Sequence, residues 1–251
     1  MKTKILLATI LLLTLFSCKS DDVSSGTPTI PADQKFLSKI TDGQGEMLVE
    51  MKYNDNKTIA RVTIRGFIFR YEYNEIGKVG NMHVAIPGEA MSSYSYTYDA
   101  NGIMNSYKGP DGSIHPVEFS VQENSYHYIE DQYDSYTIYL NPNQTLKKII
   151  EHEQGENDIA ISLFYEDGKY GALHNTNDVS LPTMVASPIF YYAFFTSFNL
   201  CKVPLEEVFG GEIYISQENE FDRDNFLKNS IVNSPLLSNE PIKLNYEYIQ
   251  L

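Results

Sequence analysis

The run Tyr71-Glu72-Tyr73-Asn74-Glu75-Ile76-Gly77-Lys78-Val79 carries the decisive pattern of the chain. Tyr71 and Tyr73 are two residues apart, so in a strand they share one face. Asn74 opens a type I turn by hydrogen bonding its own backbone. Gly77, three positions on, supplies the left-handed conformation of a bulged hairpin loop. Lys78-Val79 starts the return strand. The unit is strand, tight turn, strand.

The same unit recurs. Tyr53-Asn54-Asp55-Asn56-Lys57-Thr58-Ile59 precedes it, and Tyr96-Thr97-Tyr98-Asp99-Ala100-Asn101-Gly102-Ile103 follows. Tyr139-Leu140-Asn141-Pro142-Asn143-Gln144-Thr145-Leu146 is a drifted fourth copy, and Phe164-Tyr165-Glu166-Asp167-Gly168-Lys169 a fifth. A weaker turn lies at Gly109-Pro110-Asp111-Gly112. Tyr53, Tyr73, Tyr98, Leu140 and Tyr165 are 20, 25, 42 and 25 residues apart. The long gap has room for a degenerate unit around Phe119-Ser120-Val121-Gln122-Glu123-Asn124. Regular spacing of this kind signals a repeat architecture. The high Tyr count, 19 with 13 Phe and no Trp, suits half-buried strands.

The motif Y-x-Y-[ND]-x-x-G-x-[VI] resembles the YD repeat of RHS-type proteins. The wider layout runs from hairpins through Asp167-Gly168-Lys169 and an aromatic segment to a terminal Tyr246-Glu247-Tyr248 strand. It is similar to an uncharacterised family of Bacteroidota lipoproteins described as having a porin-like β-fold. The resemblance covers residues 35–251 and implies no catalytic residues. The drifted fourth unit and the lack of Trp depart from it.

One segment breaks the rhythm. In Leu181 to Leu200, Pro188 suits the first turn of a helix and Ser187 its cap. The stretch from Ile189 to Asn199 is apolar nearly all round, which implies a buried helix, plugging one end or face of the sheet. The expected fold is mostly β: an antiparallel meander of repeated β-hairpins forming a large twisted or barrel-like sheet, with one short buried helix near residues 187–199.

The amino terminus reads as an address. A short basic start (Met1-Lys2-Thr3-Lys4) leads into twelve uncharged residues, Ile5 to Phe16. As a helix this run spans roughly 18 Å, well short of the ~30 Å hydrocarbon core. It suits a signal peptide. Leu15-Phe16-Ser17-Cys18 resembles a lipobox, in which the Cys18 thiol becomes a lipid-bearing thioether after cleavage. Lys19-Ser20-Asp21-Asp22 looks like an export signal to the outer face of the outer membrane; a periplasm-facing orientation is the alternative. The expected organisation is a lipoprotein signal peptide over residues 1–17, a flexible tether over 18–34 and a single β-rich repeat domain over 35–251.

Removing residues 1–17 takes away Lys2 and Lys4 and no acid, moving the formal net charge from −14 to −16. Such a surface repels nucleic acid and anionic headgroups. The expected attachment to a membrane is therefore through lipid on Cys18. Cys201 then has no partner within the chain and reads as a small buried hydrophobe.

No catalytic, metal or cofactor constellation stands out. His152-Glu153-Gln154-Gly155-Glu156 lacks the second histidine of a zinc helix. His127 and Glu130 would share a helix face but not a strand face. Asp222-Arg223-Asp224-Asn225 lacks the Gly and closing Glu of a calcium loop. Glu218 and Glu220 are ordinary in so acidic a chain. Composition leaves a non-enzymatic module that binds glycan, peptide or envelope protein, an accessory subunit of an outer-membrane complex, or, less expected, an extracellular hydrolase. A binding module predicts exposed tyrosines on one sheet face, for which Tyr94, Tyr96 and Tyr98 are the candidates.

Overall fold

The computed structural model describes residues 30–251; the leader and the lipobox with Cys18 lie outside the described residues. A short 3-10 turn (Ala32–Gln34) leads into β1 (Lys35–Asp42), β2 (Met47–Tyr53), β3 (Ile59–Ile64) and β4 (Phe67–Tyr73). Then come β5 (Val79–Ala85), β6 (Ser92–Tyr98), β7 (Met104–Lys108) and β8 (Ile114–Ser120). They are followed by β9 (Ser125–Ile129), β10 (Asp134–Leu140), β11 (Leu146–Glu153) and β12 (Ile159–Tyr165). After a long excursion come β13 (Leu205–Gly210), β14 (Ile213–Phe221), β15 (Leu227–Asn233) and β16 (Ile242–Gln250). Each strand pairs antiparallel with its sequence neighbours. β1 also pairs with β16, Lys35 opposite Gln250 and Asp42 opposite Leu244, which closes a sixteen-strand barrel.

The repeated turns all sit at one end of the barrel, because they follow even-numbered strands. Their geometry is the one the sequence implies. Asn74 N donates to Lys78 O, Gly77 N to Asn74 O, and the Asn74 side chain accepts from Lys78 N. Gly77 (φ 73°) and Gly102 (φ 74°) take the left-handed conformation. Lys57 and Gln144 take it without glycine. The weaker turn at Gly109 lies at the other end, and the degenerate unit near Val121 joins β8 to β9.

The spacing of the second tyrosine has its own cause. Tyr53, Tyr73, Tyr98, Tyr165 and Tyr248 donate their hydroxyls to the carbonyls of Leu37, Ile59, Val79, Leu146 and Leu227, each on the preceding strand. Each acceptor borders a register shift. A bulge interrupts the ladder, and the phenol gives the freed carbonyl a partner. Such a bond is worth about 1 kcal/mol. One lock per hairpin explains why the motif repeats with the turn.

The fifth unit departs from expectation. Tyr165-Glu166-Asp167-Gly168 does not turn straight into a return strand; residues 166–204 form an excursion whose buried part, between Ala172 and Cys201, fills the barrel interior before β13 pairs with β12. The interior segment keeps the expected short helix near residues 187–199 and adds a second one ahead of it. It comprises α1 (Ser180–Ala186) and α2 (Pro188–Phe190), with α2 running into a wide π-type turn at Tyr191–Thr196. Ser187 between them is extended, because Pro188 has no N–H to continue α1. As expected, Ser187 caps α2, accepting from Phe190 N at 3.4 Å, and Pro188 opens it.

Bonds from around the wall hold this plug. Tyr71 Oη meets Thr183 Oγ1 at 3.1 Å, Tyr96 donates to Pro182 O at 2.8 Å and Tyr246 to Phe198 O at 3.2 Å. Asn199, fully buried, donates to Gln217 at 2.6 Å. Phe195 packs edge-on to Phe69, centroids 5.5 Å apart. A barrel of sixteen strands is wide enough for a channel; here aromatic side chains and the plug occupy the lumen.

The outside is polar over most of the circumference. Glu50 pairs with Arg61 and Lys52, Asn81 donates to Glu72 and accepts from Ser95, and His83 meets Ser93. A membrane-spanning barrel has the opposite arrangement, apolar outside and polar within. No helix among the described residues is long and apolar enough to cross a membrane.

Candidate functional site

Tyr94, Tyr96 and Tyr98 share one face of β6, as their spacing requires, but it is the inner one. Tyr96 is buried beneath α1, and Tyr94 and Tyr98 are half-buried against the core. Ser93, Ser95 and Thr97 take the outside. The expected exposed platform is therefore not formed by these three rings. Period two reveals that residues share a face; the plug decides which face that is.

Exposed aromatics gather elsewhere. One rung of paired residues crosses the outer surface of five strands: Tyr139 on β10 opposite Lys148 on β11, Lys148 opposite Ser162 on β12, Ser162 opposite Phe209 on β13, and Phe209 opposite Tyr214 on β14. At the usual strand spacing it runs roughly 19 Å. Phe209 is 57% exposed, Tyr214 48% and the neighbouring Phe164 50%. Phe209 and Tyr214 touch edge to face at 6.3 Å. Lys148 Nζ lies 4.4 Å from the centre of the Tyr139 ring.

The rung ends in a groove. About 700 Å³ of space lies between the β10–β11 turn and β12, lined by Tyr139, Asn143, Lys147, Lys148, Phe164 and Asp167 among others. In a regular strand Lys147 and Lys148 would face opposite ways. The register shift between Tyr139 and Leu140 makes Lys147 the extra residue of a bulge. Bulges re-aim side chains in this way, and both lysines line the same groove.

The drift of two repeats carries a local trace of the Tyr139 and Phe164 part of this face. In the first three units a tyrosine stands directly before the turn residue and points inward. In the fourth, Leu140 holds that place and puts Tyr139 on the other face; in the fifth, Phe164 stands one residue ahead of the inward Tyr165.

The remaining sequence candidates resolve into structural roles. Asp222 and Asp224 each receive Lys35 Nζ at 2.6 Å, and Asp222 Oδ1 also accepts from Asp224 N and Phe226 N. An ammonium thus sits between the two carboxylates first weighed as a calcium loop. Burial works to lower the Lys35 pKa, but the bonds and charges of both aspartates outweigh it and raise the value; the bond from Lys35 holds Asp224 low. His127 faces outward to Thr137, whereas Glu130 is half-buried near Tyr136, so the two stand apart, as a strand requires. Glu220 accepts from Asn229. Cys201 is free and buried, and burial pushes its thiol up to about 12. Among the described residues no group of histidines, cysteines and carboxylates is arranged to hold a metal ion.

Two clusters escaped the sequence. At the barrel end opposite the repeated turns, Tyr107, Tyr128 and Tyr136 pack ring against ring at 5.5 and 5.3 Å. Tyr136 donates to Glu151, and the hydroxyls of Tyr128 and Tyr192 are buried with no partner among the described residues. Burial, then the charges of Asp131 and Asp134, raise the pKa of Glu130 beside them. On the outer face, Thr137 Oγ1 lies 3.1 Å from His152 Nε2, and His152 Nδ1 3.0 Å from Asp158 Oδ1. That spacing matches a nucleophile, base and orienting acid. The backbone around Thr137, however, is taken up by the ladders to β9 and β11, which leaves its neighbouring N–H groups unable to form an oxyanion hole.

No protein-family model matches the chain, and no curated protein matches it in sequence. Among solved structures, a porin-like protein from Bacteroides uniformis is similar at 11% identity and TM-score 0.37, over 85% of this chain and 96% of that one. The TcdB2-TccC3-TEV structure gives 11% identity and TM-score 0.29, over 78% of this chain and 10% of that one. A structure of the Photorhabdus luminescens Tc holotoxin pore gives 11% and 0.30, over 78% and 9%. At these values the likeness is one of β-rich architecture alone.

Proposed function

We propose that this protein is a non-enzymatic binding module of the cell envelope, held to a membrane by lipid on Cys18, that engages a glycan, peptide or envelope protein through the outer face of β10–β14. One observation carries the reading: the Tyr139–Lys148–Ser162–Phe209–Tyr214 rung is solvent-facing aromatic surface on a barrel whose exterior is otherwise mostly polar. Exposed aromatic rings clustered on a rigid scaffold favour binding over stability. The lipobox-like Leu15-Phe16-Ser17-Cys18 supports the anchor, and the acidic residues behind it support display on the outer membrane, at the cell surface rather than toward the periplasm. The reading needs no cofactor and no nucleic acid.

The test is a crosslinked pull-down from intact cells, comparing the native chain with the Phe209→Ser/Tyr214→Ser double variant. The native chain should retain a partner that the equally folded variant loses; equal recovery by both sinks the assignment of this face. Protease shaving of the same cells reports the orientation, and mass spectrometry of the amino terminus reports the thioether on Cys18. An accessory subunit of an outer-membrane complex would instead bring down one membrane protein in fixed proportion.

A second reading, an extracellular hydrolase, has the Thr137–His152–Asp158 spacing in its favour. A fluorophosphonate probe that labels the native chain but not Thr137→Val would establish it, and absence of labelling would remove its support.

A further inference from the structure

We propose that the groove between the β10–β11 turn and β12 binds an acidic saccharide, one whose sugar carries a carboxylate. This rests on the binding-module reading and names its ligand. Four features support it. Lys147 and Lys148 are brought to one side by the bulge and line the groove together. Neither forms an ion pair among the described residues. Asp167 is the single carboxylate in the lining, so the groove carries a net positive charge on a chain whose formal net charge is −14. Asn143 Oδ1 is occupied by Thr145, which leaves its NH2 as a donor.

The apolar part of the site is Phe164, half exposed, with Tyr139 beside Lys148. A pyranose has one face of C–H bonds that packs on such a ring, while its hydroxyls reach for amide and ammonium donors. A carboxylate on that sugar pairs with the ammonium groups of Lys147 and Lys148, and charge-assisted bonds of this kind are about twice as strong as neutral ones. The surplus in the groove suits one isolated carboxylate. Densely charged polyphosphates are excluded by the acidic remainder of the surface, whose repulsion acts within a Debye length of about 8 Å at physiological salt.

The experiment uses the full barrel and two probes that differ in one group: an oligosaccharide of alternating glucuronic acid and N-acetylglucosamine, and the same oligosaccharide with its carboxyls reduced to alcohols. Calorimetric titration should show the acid form binding roughly tenfold or more tightly than the reduced form. Lys147→Gln/Lys148→Gln should abolish that preference, and Phe164→Ser should weaken both forms. All three positions lie on the outer surface, and matching thermal midpoints verify that the variants fold. Equal affinity for the two probes overturns the acidic-sugar inference. No binding of the acid probe at millimolar concentration also overturns it. In either case the binding-module reading stands if the Phe209/Tyr214 variant still loses its partner on cells, and falls if it does not.

Discussion

Tyr94-Ser95-Tyr96-Thr97-Tyr98 on β6 and Phe209 with Tyr214 on β13–β14 are aromatic segments of the same barrel wall with opposite roles. In the first, alternate rings point inward, and Tyr96 is bonded to the plug through Pro182 O. In the second, the rings point outward, about half exposed, and pack edge to face on each other. Inner rings stabilise the barrel; outer rings are free to bind. Aromatic content alone does not locate a site, because the hydrophobic effect uses the same side chains for the core.

The contrast predicts a graded set of effects. Tyr96→Ala, on the inner side, should cost about 3–5 kcal/mol, as removal of a large buried ring does; denaturant unfolding measures it. A cost below about 1 kcal/mol would mean that the plug is not packed on β6. Lys35→Met removes the ammonium between Asp222 and Asp224, at the point where β1 enters the closed barrel. It should cost about 1–2 kcal/mol at neutral pH, since the site is partly screened.

The pH dependence of that latch has a definite sign. The folded pKa of Asp224 is lowered, so its stabilisation is present above the ordinary carboxylate value and is lost as pH falls through the folded one. The pKa of Lys35 is raised, so its share is present below the ordinary lysine value and is lost as pH rises through the folded one. Lys35→Met should flatten both limbs of the stability profile. A profile unchanged by the substitution would show that the latch contributes nothing.

Tyr73→Phe tests a single bulge lock. The phenol donates to Ile59 O and accepts from Asn177, and burial, outweighing these two bonds, pushes its pKa up to about 12. The loss should be about 1 kcal/mol. On the outer side, Phe209→Ser and Tyr214→Ser should each change stability by less than about 0.5 kcal/mol while removing partner capture. A large stability loss there would erase the distinction between the two faces. The smallest effect is expected from Glu130→Gln. Because burial raises this carboxyl's pKa, its contribution is present in acid and lost as pH rises. The variant should raise the thermal midpoint slightly at pH 8 and not at pH 4.

The sequence determined what is local. Asn or Asp before a left-handed residue, a tyrosine immediately ahead of it and period-two alternation set the hairpins, because turn chemistry and strand pleat act over a few residues. The interior place of the apolar segment from Tyr191 to Leu200 and the buried state of Cys201 were also legible, since a segment apolar nearly all round must be covered. Three things required the closed structure: which face of each strand looks inward, the detour through the lumen between Ala172 and Cys201 in place of a fifth hairpin, and the meeting of Tyr139, Phe209 and Tyr214 in one rung. Each depends on residues far apart in the chain. Closure of β1 on β16 and insertion of the plug select one face of every strand as core, and only then do the aromatics left outside become a surface that can bind.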